Sequence, residues 1–263
     1  MDEYPVKLGS MLFTMVDPDR GHEVAFNRWY ERDHFYAGCM IGPWLFAGRR
    51  FVATRAMKDL RFPATSPFAE PVDAGSYLAV YWMHEGHVEE HLKWAYHQVR
   101  ALYAENRGFA ERVHAHTNIY DLMETTYADP DGVPIELALD HGYGGLAVTV
   151  VEPADREGAV ASLAAGPIAA TLAAGAASCC SQWGVRASAR AGSASVPMSL
   201  GSSGGSDDRI VQLWFGEGHP AHHWDAFRLY AADVESSGAG RVTFAAPFLP
   251  TNVGTDHYTD QLW

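Results

Sequence analysis

The chain has 263 residues, nearly half of them apolar, with 19 basic side chains against 32 acidic ones and a net charge of −13. That length and apolar content allow one large or two small folded units and exclude wholesale disorder. The acidic balance excludes the dense Lys/Arg surface that a phosphate backbone or an anionic membrane demands. Thirteen histidines are the compositional oddity.

Met1-Asp2-Glu3-Tyr4-Pro5 lacks the basic and then apolar blocks of a secretion signal. No run approaches the ~18 apolar residues that span a bilayer, and the richest, 159–177, is mostly Ala and Gly. Cys39 and the adjacent Cys179 and Cys180 form neither a disulfide framework nor a CxxC metal knuckle. Reduced, packed thiols and a cytoplasmic location are expected.

In chain order, residues 7–16 alternate Met11, Phe13 and Met15 against Ser10, Leu12 and Thr14, which is strand periodicity. Asp17-Pro18-Asp19 breaks the strand and offers Asp19 as the N-cap of a helix over about 21–38. Gly42-Pro43 ends that helix, and 46–55 reads as a second strand. A loop with Pro63, Pro67 and Pro71 leads to a strand over 76–83, a helix over about 87–106 and a strand over about 112–122. Strand-helix-strand-strand-helix-strand is the split βαβ unit, with both helices on one sheet face.

The unit occurs twice. Trp82-Met83-His84-Glu85-Gly86-His87 with His91 matches Trp214-Phe215-Gly216-Glu217-Gly218-His219 with His223. Met15-Val16-Asp17-Pro18 matches Val150-Val151-Glu152-Pro153, Arg20 has Arg156, Ala53-Thr54-Arg55-Ala56 has Ser188-Ala189-Arg190-Ala191, and Arg112-Val113 has Arg241-Val242. Order is kept and spacing stays between 129 and 136 residues. The Gly/Ser-rich run 192–206 takes the place of the Pro-rich loop.

Phe26-Asn27-Arg28-Trp29-Tyr30-Glu31-Arg32-Asp33-His34, Gly42-Pro43-Trp44 and Ala47-Gly48-Arg49-Arg50-Phe51 resemble the first helix and second strand of dimeric α+β barrel proteins. The resemblance is closest to the EthD-like branch, although Gly42-Pro43 reverses its usual Pro-Gly and the second half has no Trp-Tyr-x-x-x-His. It implies a fold and a small-molecule pocket between helices and sheet. It leaves the reaction open, because that superfamily includes cyclases, isomerases, cofactor-free oxygenases and haem enzymes. The expected architecture is α+β: two tandem ferredoxin-like (βαββαβ) repeats, 1–125 and 143–263 around a linker at 126–142, closing into an intramolecular dimeric α+β barrel.

On the first helix, Phe26, Trp29, Tyr30, Asp33 and Ala37 form one stripe, which puts Asp33 on the core side with Arg49 or Arg50 as its expected partner. His34 sits at the stripe edge, where an imidazole beside a carboxylate suits a general base or acid near pH 7. The alternative is a structural Asp33–His34 device fixing helix to sheet. Period two puts His114, His116, Asn118 and Tyr120 on one strand face, and Tyr77 and Tyr81 share another. Such faces suit a pocket, or the wet centre of a barrel. His87 and His91 have the i, i+4 spacing of a metal pair but lack the Glu of HExxH. Gly201-Ser202-Ser203-Gly204-Gly205 lacks the Lys and flanking elements of a phosphate cradle.

The second half aligns Thr243 and Ala245 with His114 and His116 and is Ala- and Gly-rich at its first helix. The first half is therefore expected to carry the pocket and the second to act as a built-in partner. The leading expectation is an enzyme performing cofactor-independent acid/base chemistry on an apolar, aromatic or polyketide-like small molecule: isomerisation, cyclisation, dehydration or oxygenation. His34, Asp33 and His116 would be catalytic, and Trp29, Tyr30, Tyr81, Arg50 and Tyr120 would bind substrate. The alternatives are a haem or transition-metal enzyme using His34, His87, His91, His114 or His116, and a non-catalytic binding protein. The pseudo-dimeric chain could pair further into a homodimer.

Overall fold

The computed structural model describes residues 6–186 and 207–263. The Ser188–Ala191 match, the 192–206 run and the 201–205 glycines lie outside the described residues. The first half holds β1 (Leu8–Pro18), α1 (Glu23–Trp29), β2 (Leu45–Val52), the short α2 (Arg55–Lys58), β3 (Tyr77–His84), α3 (Val88–Ala104) and β4 (Arg112–Tyr127). The second holds β5 (Gly145–Pro153), α4 (Arg156–Leu163), α5 (Ala169–Ala173), β6 (Cys179–Val185), β7 (Ile210–Gly216), α6 (Trp224–Ser236) and β8 (Gly240–Pro250). No helix among the described residues is long and apolar enough to cross a membrane.

All the strands join one closed antiparallel barrel in the order β1-β3-β2-β8-β5-β7-β6-β4. Each half contributes the same internal order, β4-β1-β3-β2 and β8-β5-β7-β6, and each half's second strand meets the other's last. The seams are unequal: β4 and β6 register from Tyr120↔Val185 to Tyr127↔Cys179, while β2 and β8 share only Phe51↔Pro250 and Val52↔Leu249. The longer seam explains why β4 runs to Tyr127 rather than about 122: its outer half gains a ladder partner across the halves.

The barrel centre is packed with aromatic side chains. Trp82 and Trp183 stack at 5.1 Å inside it, and Phe13, Phe215 and Phe244 are fully buried. The Pro-rich loop inserts Phe68, whose ring lies 5.1 Å from Phe244. Arg61 ties that loop down by donating to the carbonyls of Val72, Ala74 and Gly75.

The ladders correct the sequence alignment of the halves. Leu12 pairs with Tyr81 and Ala147 with Trp214, so Trp214 is equivalent to Tyr81 and not to Trp82. Trp82 points into the barrel and Trp214 packs against α6 through Phe227 and Tyr230. Both halves also carry a β-bulge at the same place, with Ala115 extra between His114 and His116 and Thr243 extra between Val242 and Phe244. His114 and His116 therefore correspond to Val242 and Phe244, one residue away from the sequence match. A one-residue slip moves side chains to the other face.

The first helix also departs from expectation. His22, not Asp19, occupies the cap position, and no side chain caps the helix. From Tyr30 to Met40 the helix widens into π-turns. These repeat every four to five residues and carry His34, Gly38 and Cys39 to the sheet side. The second half shows a shorter π-stretch, Ala164–Ile168, after α4.

Candidate functional site

Between the π-helical segment, α3 and the outer face of β1, β3 and β4 lies a cavity of about 130 Å³. The sheet supplies its floor through Leu12, Thr14, Tyr81, His114 and Thr117. The π-turns supply His34, Gly38 and Cys39. The opposite wall is α3, with His91, Leu92, Ala95 and Val99. Leu92, Ala95 and Val99 belong to the apolar stripe of α3 but are only half-buried, because they face this cavity instead of packed side chains.

The His34 ring stacks on Trp29 at 5.0 Å and meets Tyr30 edge-on at 4.9 Å, with Nε2 3.9 Å from Cys39 Sγ. At Gly38 a Cβ would come to 3.2 Å from His34 Nδ1, so a larger residue there would push the imidazole by a few tenths of an ångström. Trp29 is itself held by its Nε1–H donating to the Arg107 carbonyl at 2.8 Å, with the Arg112 guanidinium 4.8 Å from its ring. Burial, reinforced by Arg112, His114 and Arg50, pushes the His34 pKa down to about 3. His34 is thus neutral at pH 7.

His91 and His114 are likewise neutral, each pushed down to about 4, His91 by burial and His114 by burial and Arg112. His114 Nδ1 lies 2.8 Å from Thr117 Oγ1, and its Nε2 accepts from Arg112 Nε at 3.5 Å. Thr117 in turn lies 2.6 Å from Thr14 Oγ1. Tyr30 and Tyr81 share a hydroxyl contact of 3.1 Å, and burial raises both phenols. Cys39 is pushed up to about 12 by burial, so it is an un-ionised thiol.

The remaining expected residues lie elsewhere. Asp33 is buried, but its partners are Arg107 at 2.9 Å and Arg32 at 3.2 Å, not Arg49, Arg50 or His34. These guanidinium hydrogen bonds hold its carboxyl below the usual range against the cost of burial. Arg50 is buried between the rings of Tyr30 (4.4 Å) and Tyr77 (5.0 Å) and donates to Asn27 and Glu31. Arg49 donates to the carbonyls of Leu139 and His141. His116 and Tyr120 are in the barrel, 2.6 Å apart, with the His116 ring on Phe68 at 4.0 Å. The sheet separates them from His34; the bulge at Ala115 gives His114, not His116, to the pocket. His87 occupies the N-cap position of α3 without a side-chain capping hydrogen bond and stacks on Trp44 at 4.1 Å. Among the described residues no group of three or more His, Cys, Asp and Glu is placed to hold a metal ion.

The second half has a wider cleft of about 460 Å³, with Ala147, Leu172, Trp214 and Phe227 deep and Glu217, His219 and His223 at its rim. Nearly half of the residues lining it are glycine or alanine. Beside it, Gln212 Oε1 accepts from Thr149 at 2.6 Å and Tyr230 at 2.7 Å, and Trp214 Nε1–H donates to Thr149 at 2.8 Å.

No protein-family model and no curated protein matches the sequence. Solved structures do share its fold. An anthrone oxidase-like protein superposes with a TM-score of 0.52 at 11% identity, over 95% of each chain. A chlorite dismutase-like protein gives 0.53 at 8% identity, over 98% of this chain and all of the other. A monooxygenase-like protein of Fusobacterium nucleatum gives 0.50 at 10% identity, over 95% and 94%. The chain has the dimeric α+β barrel fold of these proteins, built within one polypeptide.

Proposed function

We propose that the cavity of the first half binds a small aromatic or enolisable molecule and that the chain performs cofactor-independent acid/base chemistry on it. The observation carrying this reading is His34, a neutral imidazole enclosed by apolar walls with the Arg112 charge near it. The positive field that makes protonation of His34 costly also favours a phenolate or enolate over its neutral acid. An anion forming beside His34 would raise the imidazole pKa and let it take the proton, so His34 becomes a competent base only with substrate present. Tyr81, Thr117 and His114 are further hydrogen-bonding groups within the same walls. Asp33 holds the helix to Arg107, and Trp29 positions the imidazole.

A cavity on the order of 150 Å³ lined by apolar side chains holds one benzene ring, which sets the substrate scale. Isomerisation, cyclisation, dehydration and oxygenation can all begin from such an anion. The anthrone oxidase-like neighbour is compatible with this class, as is the EthD-like resemblance of the first helix, and both are arguments by analogy. Haem does not fit this pocket: about 130 Å³ is below even the ~300 Å³ lower bound for drug-sized ligands. The second half, on this reading, serves chiefly to close the barrel.

The test uses 4-nitrophenol, whose phenolate absorbs visible light. Its apparent pKa should fall on binding to the wild type and stay unshifted with His34→Phe. No binding, or an equal shift in both proteins, would sink the proposal. A Soret band in the purified protein would favour the haem reading instead.

A further inference from the structure

The cavity of the first half has a counterpart in the second. Leu12 and Tyr81 pair across β1 and β3 and floor the one; Ala147 and Trp214 hold the same ladder places on β5 and β7 and floor the other. The space grows from about 130 to about 460 Å³, and small residues line it: Gly145 and Ala147 on the sheet, Gly175, Ala176 and Ala177 after α5. That volume falls within the ~300–1,000 Å³ of small-molecule sites. The buried polar side chains of the cleft already have partners within the chain. Trp214 Nε1–H donates to Thr149 at 2.8 Å, and the Tyr143 hydroxyl has the Cys179 thiol beside it. With Leu172 and Phe227, these walls offer contact to an apolar body.

The mouth has a different chemistry. Asp129 and Glu217 are exposed carboxylates there, and among the described residues no Lys or Arg lines the cleft. Glu217 lies 3.4 Å from His141 Nε2 with most of its side chain in solvent. Burial and the neighbouring His222 push the pKa of His219 down, so this rim imidazole is neutral at pH 7. An entering anion would meet carboxylates alone, whereas a cation would meet opposite charge. Three residues of extended chain, ~10 Å, separate Trp214 on the floor from Glu217 at the mouth. We infer that this cleft is a second binding site, for an amphiphilic organic cation. An aromatic or branched apolar body sits over Trp214 and Ala147, and a short chain carries its protonated amine to Glu217. The site is independent of the role proposed for His34 and gives the second half a task beyond closing the barrel.

Calorimetric titration of the full chain at pH 8 and low salt tests this with one scaffold in three charge states: 3-phenylpropylamine, 3-phenylpropanol and 3-phenylpropionate. The amine should bind about fivefold more tightly than the alcohol, the size of a surface ion pair, and the carboxylate should bind most weakly. Glu217→Gln should bring the amine down to the affinity of the alcohol and leave the alcohol unmoved. Ala147→Leu installs the residue that the first half has at that place, fills the cleft and should weaken all three ligands. Ala176→Leu, on a half-buried wall, serves the same purpose if Ala147→Leu lowers the urea midpoint. Glu217→Gln and the cleft-filling variant should both keep the wild-type shift of bound 4-nitrophenol, which separates this site from that of His34. Four outcomes overturn the inference: no binding by any of the three compounds, equal affinity for amine and alcohol, an advantage of the amine that survives Glu217→Gln, or affinities that a folded cleft-filling variant leaves unchanged.

Discussion

Both halves fold one sheet against two helices, yet the outer faces of their sheets do opposite work. At the position of Tyr81 the second half has Trp214, at Ala79 it has Gln212, and at His114 it has Val242. Thr14 and Thr149 occupy the same place. The first meets Thr117, and with it His114, in the wall of a cavity; the second knits a tryptophan to a glutamine beneath α6. Repeats that share a backbone can thus diverge by a few outward-facing residues into a small cavity lined by imidazoles and a larger cleft backed by tryptophan and a closed polar network. Polar residues survive in both, but in the second half they are satisfied by each other.

The sharpest way to break this contrast is to remove the tryptophan that backs the second-half network. Trp214→Ala removes a ring that is 1% exposed and should cost about 3–5 kcal/mol, read from urea unfolding. A loss under about 1 kcal/mol would mean that Trp214 does not hold α6 to the sheet. Gln212→Leu removes the acceptor shared by two buried hydroxyls and should cost roughly 2–3 kcal/mol in the same assay.

Acidity probes the other side. His34, His91 and His114 have folded-state pKa values of about 3, 4 and 4, below the ~6.5 of an unfolded chain. The unfolded state therefore takes up protons first. Stability is intact above ~pH 6.5 and falls as the pH drops toward 4, by about 1.4 kcal/mol per pH unit for each histidine. His91→Leu should flatten this slope by one histidine's share, and an unchanged slope would show that burial does not keep that ring neutral. The smallest effect is expected from Leu92→Ala, whose side chain is only half-buried at the cavity edge: under about 1 kcal/mol. A loss comparable with that of Trp214→Ala would mean that the cavity collapses in solution.

Alternation and element order were enough to read the barrel, because strand periodicity and helix stripes are local. What the sequence hid were single-residue offsets. Ala115 and Thr243 are inserted in bulges that no composition rule marks, and each reverses the facing of the residue before it. That is why His114, not His116, is in the pocket. The identical-looking Trp82 and Trp214 point to opposite faces because Trp214 takes the ladder place of Tyr81, one residue before Trp82. The π-turns after Trp29 had the same effect on a helix, replacing the α-helical stripe by one through His34 and Cys39. The pairing of Asp33 with Arg107 joins residues 74 apart and could not be read from local spacing.

The unequal seams bear on how the barrel breathes. Strands β2 and β8 meet through only two registered pairs, so amide exchange at Val52 and Leu249 should outpace that along Thr125 and Thr126. Strand β4, which carries His114, lies on the tightly zipped side. Transient gaping would start two strands away from β1, leaving the imidazole-lined wall in place while the opposite flank loosens.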